Sequence, residues 1–456
     1  MCYALSPTRD PASPRRVEDG RPFSLAFSLP AELGCPHEIA FVTGNRISRM
    51  RLHPFRAVRP APELAERVAS VPYDVVNRTE AAALAEGNPH SFLHVGRSDI
   101  DLPGDVDPYD PRIYAQAREA LDRFQADGTL VREAAPSLYL YRQLMDGRSQ
   151  VGVVGCVHID DYEQDIIRKH ENTRQDKEDD RTRHVLTLRA NAEPVFLTYR
   201  GRSEIDALTA PLMAAPPLYD FTAPDGVRHT VWRVPETDPL LDAFRRVPLA
   251  YVADGHHRSA SAWRAGRELR NAPSQHRGDG EYNWFLAVLF PAEQLRILPY
   301  NRVVRDLNGL EAAAVLARLS RLGRLTTTDR GTPDRPGSFG IFLKNAWYLL
   351  ELDEATIDRT DPIASLDVSL LQDRILGPIL GIGDPRTDKR IDFVGGIRGT
   401  EELERRVRSG EMAIAFSLYP TTLEQLMRVS DTGQIMPPKS TWFEPKLRSG
   451  LFVHTL

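Results

Sequence analysis

The chain has 456 residues, 41% of them hydrophobic and 27% charged, with a formal net charge of -5. That is length for two or three domains around a sizeable core, and the acidic balance argues against a global field for nucleic acid. No run of about 18 apolar residues exists to span a membrane, and Cys2, Cys35 and Cys156 lack metal-ligand spacing or the number for a disulfide framework, so a cytoplasmic location is expected.

The first 49 residues differ from the rest. Pro7, Pro11, Pro14 and Pro22 punctuate them, and the apolar piece from Phe23 to Leu29 makes a poor signal peptide. Denser patterning starts at Met50, so translation is expected to begin near there, with a disordered tail as the alternative. Three segments are expected after it: an N-terminal α/β region over 50–150, a core over 151–305 and a C-terminal α/β region over 306–456. Helices are predicted over 79–86 and 111–126, where Ile113, Ala117, Ala120, Leu121 and Phe124 share a face. Ser91–Val95 reads as a strand. Leu138–Gln143 and Gln150–Ile159 read as a hairpin turning at Asp146-Gly147. Residues 165–190 read as largely helical, and 194–199, 229–233 and 247–253 as strands. A helix over 258–270 follows, then a buried strand over Trp284–Phe290. Leu298–Val304 reads as a strand at a sheet edge, because of Pro299. A helix near 309–322, strands at 339–343 and 347–352, a broken helix at 371–380, and helix, strand and helix over 401–429 complete the pattern. The tail from Pro437 is rich in turn residues. Alternating helices and strands predict an α/β or α+β fold, with mixed sheets and flanking helices.

One turn stands out. The apolar run Val247–Ala253 stops at Asp254-Gly255, and His256, His257 and Arg258 lead into the small residues Ser259, Ala260, Ser261 and Ala262. A helix N-terminus offers free N–H groups and partial positive charge. Gly255 permits close backbone approach, and Arg258 can fork onto phosphate oxygens. A phosphate site is expected here; the plainer alternative is a strand-to-helix turn with solvated histidines.

A second constellation runs Arg168-Lys169-His170-Glu171-Asn172-Thr173 and on to Lys177, Glu178, Arg181 and His184. If it is one helix, His170, Lys177, Arg181 and His184 share a face. A carboxylate such as Glu171 beside phosphate can act as a base or hold Mg²⁺; a solvated, self-paired helix is the alternative. A third, Gly383–Arg390 with Gly395–Gly399, reads as turn-rich surface. A fourth, Met436–Lys446, sets Lys439, Ser440 and Thr441 among prolines and aromatics, as a substrate clamp or a docked arm. No Walker A, HExxH or GxSxG element is present.

Four motifs together resemble the bacterial and archaeal family labelled domain of unknown function 1015. They are Pro72-Tyr73-Asp74-Val75-Val76; His170-Glu171-Asn172-Thr173 with Lys177-Glu178-Asp179-Asp180-Arg181; Ala253-Asp254-Gly255-His256-His257-Arg258; and Pro437-Pro438-Lys439-Ser440-Thr441-Trp442-Phe443. The resemblance runs from about Met50 to Leu456, and the label carries no established activity. More narrowly, Asp254–Arg258 resembles the phosphate-binding turn of the ParB and sulfiredoxin-like fold, which includes free-serine kinases. That resemblance implies a ParB/sulfiredoxin-like core. It implies phosphate held by Asp254, Gly255, His256 and Arg258; the candidate binding residues are Asp254, Gly255, His257 and Arg258, with Lys439 from the fourth motif. Glu171, His256 and His170 become the candidate catalytic groups, Glu171 matching by role and not by alignment. The resulting expectation is a kinase or phosphatase acting on serine or phosphoserine, using ATP or ADP and Mg²⁺. Its partners are a small phosphorylated metabolite or a nucleotide. The competing expectation is a nucleotide-responsive, ParB-like binding protein without turnover.

Overall fold

The computed structural model describes residues 49–272 and 279–456. The expectations for residues 1–48 lie outside them. The dominant element is a nine-stranded mixed sheet. In order across it lie Ile167–Arg168, Ala250–Asp254, Val195–Tyr199, Trp284–Pro291, Arg148–His158, Tyr139–Met145, Arg228–Arg233 and Tyr219–Thr222, and Leu52–His53 also pairs with Arg148–His158. Strand Trp284–Pro291 shows why this sheet forms. Phe285, Ala287 and Leu289 pack into one hydrophobic cluster, and Leu286, Val288 and Phe290 into another on the opposite face. Side chains alternate sides along a strand, so a strand covered on both faces reads as an unbroken apolar run. The hairpin Tyr139–Met145 to Arg148–His158 turns at Asp146 and Gly147, with φ of 51° and 75°. Two left-handed residues give the turn whose twist suits paired strands.

A second, six-stranded antiparallel sheet comes from the C-terminal third. Its order is Gly323–Thr328, Ala346–Leu352, Ser338–Leu343, Ile414–Leu418, Tyr300–Val304 and Ile391–Gly395. The turn-rich tail returns to earlier parts of the chain. Trp442–Phe443 pairs with Ile297–Leu298, Ser449 bridges to Ser70, Val453 to Val58, and His454–Thr455 pairs with Ala190–Asn191. Among the described residues, no helix is long and apolar enough to cross a membrane.

Helices Arg78–Ala85 and Pro111–Ala126 form where the periodicity predicts them; Asn77 and Glu80 close a capping box on the first, and Asp110 caps the second. Three segments differ from expectation. Ser91–Val95 is not a strand: a short helix spans Leu93–Gly96, because Phe92 and Val95, three apart, both face Ala117, Leu121 and Phe124 in one cluster. Residues 165–190 do not form one helix. Asp165 takes a left-handed φ of 54°, Ile167–Arg168 joins the large sheet, and the helix spans only Gln175–Leu188. Strand Tyr300–Val304 is internal, flanked by Ile391–Gly395 and Ile414–Leu418. Pro299 lies between it and Ile297–Leu298, so it owes the ladder no N–H.

Helix His256–Arg270 packs against Gln175–Leu188 and against the turn Glu281–Asn283. At Gly266 a Cβ would lie 2.3 Å from the Tyr282 carbonyl oxygen and 2.9 Å from Ile159. Gly266→Ala gains about 1 kcal/mol of helix propensity, but overpacking against backbone costs about 1–3 kcal/mol. The variant is expected to melt lower than wild type; an equal or higher melting temperature in thermal denaturation would contradict this packing.

Candidate functional site

Strand Ala250–Asp254 is buried along all but its last residue and ends with a carboxylate at the sheet's edge region. Gly255 then adopts φ 92°, ψ 38°, and the fifteen-residue helix His256–Arg270 begins with no side-chain cap. The first amides of this helix therefore face whatever occupies the turn, the arrangement that suits an anion. A Cβ on Gly255 would sit 3.0 Å from Arg258 Nε. The positive φ favours glycine here, and any side chain would also press on Arg258.

Arg258 sits beneath this turn. It is 7% exposed; its Nη1 donates to the Pro194 carbonyl at 2.6 Å and its Nη2 to Asp254 Oδ2 at 3.0 Å, with Asp74 Oδ2 3.6 Å away. Lys446 Nζ donates to the other Asp254 oxygen, Oδ1, at 3.4 Å. Burial by itself would raise the Asp254 carboxyl, but Lys446, Arg258 and His256 outweigh it and hold it at about 2. Behind Arg258 a cavity of about 30 Å³ is lined by Arg181, Glu193 and Ser261 among others, room enough for a water. Glu193 Oε1 accepts from the Tyr73 amide at 3.3 Å and the Ser449 hydroxyl at 2.9 Å. Arg181 lies 4.3 Å over the Tyr73 ring.

The loop after Ile167–Arg168 brings His170 and Glu171 to the same place. His170 and His256 meet edge to face with ring centroids 4.4 Å apart, and His256 Nδ1 lies 3.8 Å from Glu171 Oε2. Burial drives His170 down to about 4 and His256 well below its usual range, so both rings are neutral near pH 7. Partial desolvation raises the Glu171 carboxyl, against the pull of Lys439, although 45% of its side chain stays exposed. His257 points to the other side of the turn, where its Nε2 accepts from the Arg174 amide at 3.1 Å.

The fourth motif closes the cluster. The Met436 amide donates to the His170 carbonyl at 2.8 Å, and Thr441 Oγ1 lies 3.4 Å from His170 Nε2. Lys439 holds a left-handed φ of 58°, a strain that persists only where surrounding structure imposes it. Its ammonium makes no ion pair among the described residues.

Every candidate from the sequence, Glu171, His170, His256, Asp254, Gly255, His257, Arg258 and Lys439, thus falls in one neighbourhood. His170 is absent from the shared helical face because it precedes the helix; Lys177, Arg181 and His184 do lie on Gln175–Leu188, with Lys177 over Tyr109, Arg181 over Tyr73 and His184 Nε2 on the buried Val95 carbonyl at 3.1 Å. The Gly383–Arg390 segment is self-paired surface, with Arg386 on Asp384 and Arg390 on Asp388 and Asp306. Asp74 and Lys446 lay within the quoted motifs without being singled out. Glu193 carried no signal, since a lone glutamate before a strand is unremarkable in sequence. The donors do not fit a protein-built Mg²⁺ cage. Asp254 spends both oxygens on cations, and among the described residues no three His, Cys, Asp or Glu side chains are grouped to hold a metal.

Neutral, buried His170 links stability to pH. Its folded value of about 4 lies below the unfolded value of about 6.5, so its contribution is complete above pH 6.5 and is lost as pH falls towards 4. In His170→Gln the drop in melting temperature between pH 7 and pH 4.5 is expected to be smaller than in wild type. Equal drops in the two proteins would show that His170 is not held neutral by burial.

No curated protein matches the chain. Among solved structures, a free serine kinase in complex with AMP shares 14% identity over 66% of this chain and 91% of its own, with a TM-score of 0.31. SbnI with C-terminal truncation from Staphylococcus aureus shares 12% identity over 66% and 87%, with a TM-score of 0.35. A conserved hypothetical protein from Pyrococcus furiosus shares 14% identity over 67% and 95%, with a TM-score of 0.32. Likeness this loose transfers neither residues nor chemistry. The family comparison reaches further: residues 52–369 match the model described as protein of unknown function (DUF1015), and the chain belongs to that family.

Proposed function

We propose that the Asp254–Arg258 turn is a phosphate cradle and that the chain moves a phosphoryl group to or from serine. The observation that carries the phosphoryl part is the uncapped helix start at Gly255, with Lys446 on Asp254 and Glu171 3.8 Å from His256. Amide donors, cations and a raised carboxylate converge there, which is the equipment for holding phosphate and moving a proton. The serine part rests on the resemblance of the Asp-Gly-His turn to that of free-serine kinases, and ATP or ADP would be the partner nucleotide.

In this reading the helix amides and Lys439 hold the transferred phosphoryl group. Arg258 is a positioning residue, since its guanidinium is already committed to Asp254 and Pro194. Glu171 takes the proton from the serine hydroxyl as the new oxygen–phosphorus bond forms. The bond from phosphorus to the donor oxygen breaks, and its electron pair stays on the nucleotide. In the phosphatase direction water replaces serine as the attacking group and the serine oxygen leaves. Neutral His256 orients Glu171, and buried His170 supports His256 from behind.

Phosphate release and transfer, measured with phosphoserine alone and with serine plus ATP or ADP in the presence of Mg²⁺, test this. Glu171→Gln is expected to lower kcat about 10²- to 10⁴-fold with nucleotide affinity nearly unchanged. Arg258→Ala is expected to weaken nucleotide binding and to lower the melting temperature together, because it removes the Asp254 Oδ2 and Pro194 contacts and leaves Asp254 with Lys446 alone. Lys439→Met is expected to weaken nucleotide binding with little change in melting temperature. Saturable nucleotide binding without turnover by the wild type would replace the enzyme by the nucleotide-responsive binding protein.

A further inference from the structure

The Pro437–Lys439 loop has a second neighbour besides His170. Arg302, on strand Tyr300–Val304, donates to the carbonyls of Tyr300, Lys439 (3.0 Å) and Pro438 (3.5 Å). It is 4% exposed, and no carboxylate pairs with it among the described residues. Charged groups are rarely buried without a counter-charge, and burial lowers this guanidinium to about 10. Arg302 lines a pocket of about 210 Å³ together with Val368, Ser369, Gln372, Asp373, Leu376 and Pro438.

Two further polar groups in that pocket lack partners. Ser369 is 5% exposed and its Oγ makes no hydrogen bond. Gln372 spends its amide nitrogen on the Ile382 and Gly383 carbonyls, at 2.8 Å and 2.9 Å, and leaves its buried Oε1 free. Gln372–Leu376 is a π-helical turn, a rare form concentrated at functional sites. Buried polar atoms are normally satisfied. A buried cation that makes no ion pair, a free hydroxyl and a free acceptor, with the Asp373 carboxylate also lining the pocket, describe a ligand by its complement.

We propose that this pocket binds a small carboxylic acid that carries a hydroxyl or amino group on the adjacent carbon and a short apolar body. Arg302 takes the carboxylate, with the Ser369 hydroxyl donating to it. Gln372 Oε1 accepts from the adjacent donor group, and Val368, Leu376 and Pro438 cover the apolar body. At about 30 Å³ per water the volume equals roughly seven waters, the size of an acid with a short branched side chain. None of the polar groups proposed to hold the acid, Arg302, Ser369 and Gln372, belongs to the Asp254 cluster, so this site stands whether or not phosphoryl transfer does.

Isothermal titration calorimetry of the full chain with L-leucine, L-2-hydroxy-4-methylpentanoate and inorganic phosphate tests it. Saturable binding of the amino acid, the hydroxy acid or both is expected, and which one binds identifies the adjacent group. Ser369→Val and Gln372→Glu are each expected to weaken that binding at least tenfold while leaving the melting temperature within a few degrees of wild type. Arg302→Met is expected to abolish it, and because Arg302 also anchors the loop, the other two variants suffice if this one fails to fold. Binding of phosphate alone, no binding of either acid, or affinities unchanged in both Ser369→Val and Gln372→Glu would overturn the assignment.

Discussion

The buried ion pair between Arg258 and Asp254 is the constraint on which the site depends. A guanidinium with 7% exposure must be matched by acceptors in fixed places, and here they come from the helix's own preceding strand and from the Pro194 carbonyl. That demand sets the path of the chain between strand and helix. It brings Arg258 back under Gly255, where a Cβ would press on the guanidinium at 3.0 Å, and it leaves the buried first turn of the helix without a side-chain cap. Coulomb attraction in a poorly solvated place is strong, so Asp254 stays ionised although burial opposes it.

The second dependence is on the C-terminal loop. Met436 and Thr441 hold His170, Lys446 neutralises Asp254, and Trp442–Phe443 pairs with Ile297–Leu298. A segment that looks like mere turns therefore supplies a wall of the cluster. The same loop is gripped from its other side by Arg302. Its backbone at Lys439 is left-handed, and two sets of hydrogen bonds, not local preference, keep it so.

Much of the fold is legible along the chain because its elements obey single periods. Pro111–Ala126 carries its cap and its apolar stripe in the sequence, and Trp284–Pro291 announces a doubly covered strand. The misreadings arise where the signal is short or mixed. Ser91–Val95 has strand-forming residues, yet the two that decide its packing are three apart and meet a helix. Residues 165–190 contain enough helix formers to suggest one long helix, but the left-handed Asp165 and the pairing of Ile167–Arg168 with Ala250–Tyr251 interrupt it.

The order Asp254-Gly255-His256-His257-Arg258, placed after a buried apolar run, determined by itself that a strand would turn into a helix whose first amides have no side-chain cap. Local sterics and the unsatisfied amides of any helix suffice for that. Which groups would face that start was decided only in three dimensions. Glu171, Glu193, Asp74 and Lys446 lie far from Asp254 along the chain, and pairing across sheets brings them close. The sequence also suggested Arg258 as a phosphate ligand, whereas the tertiary structure turns it inward. A buried cation takes the nearest fixed acceptors, and those are provided by the fold rather than by its neighbours in sequence.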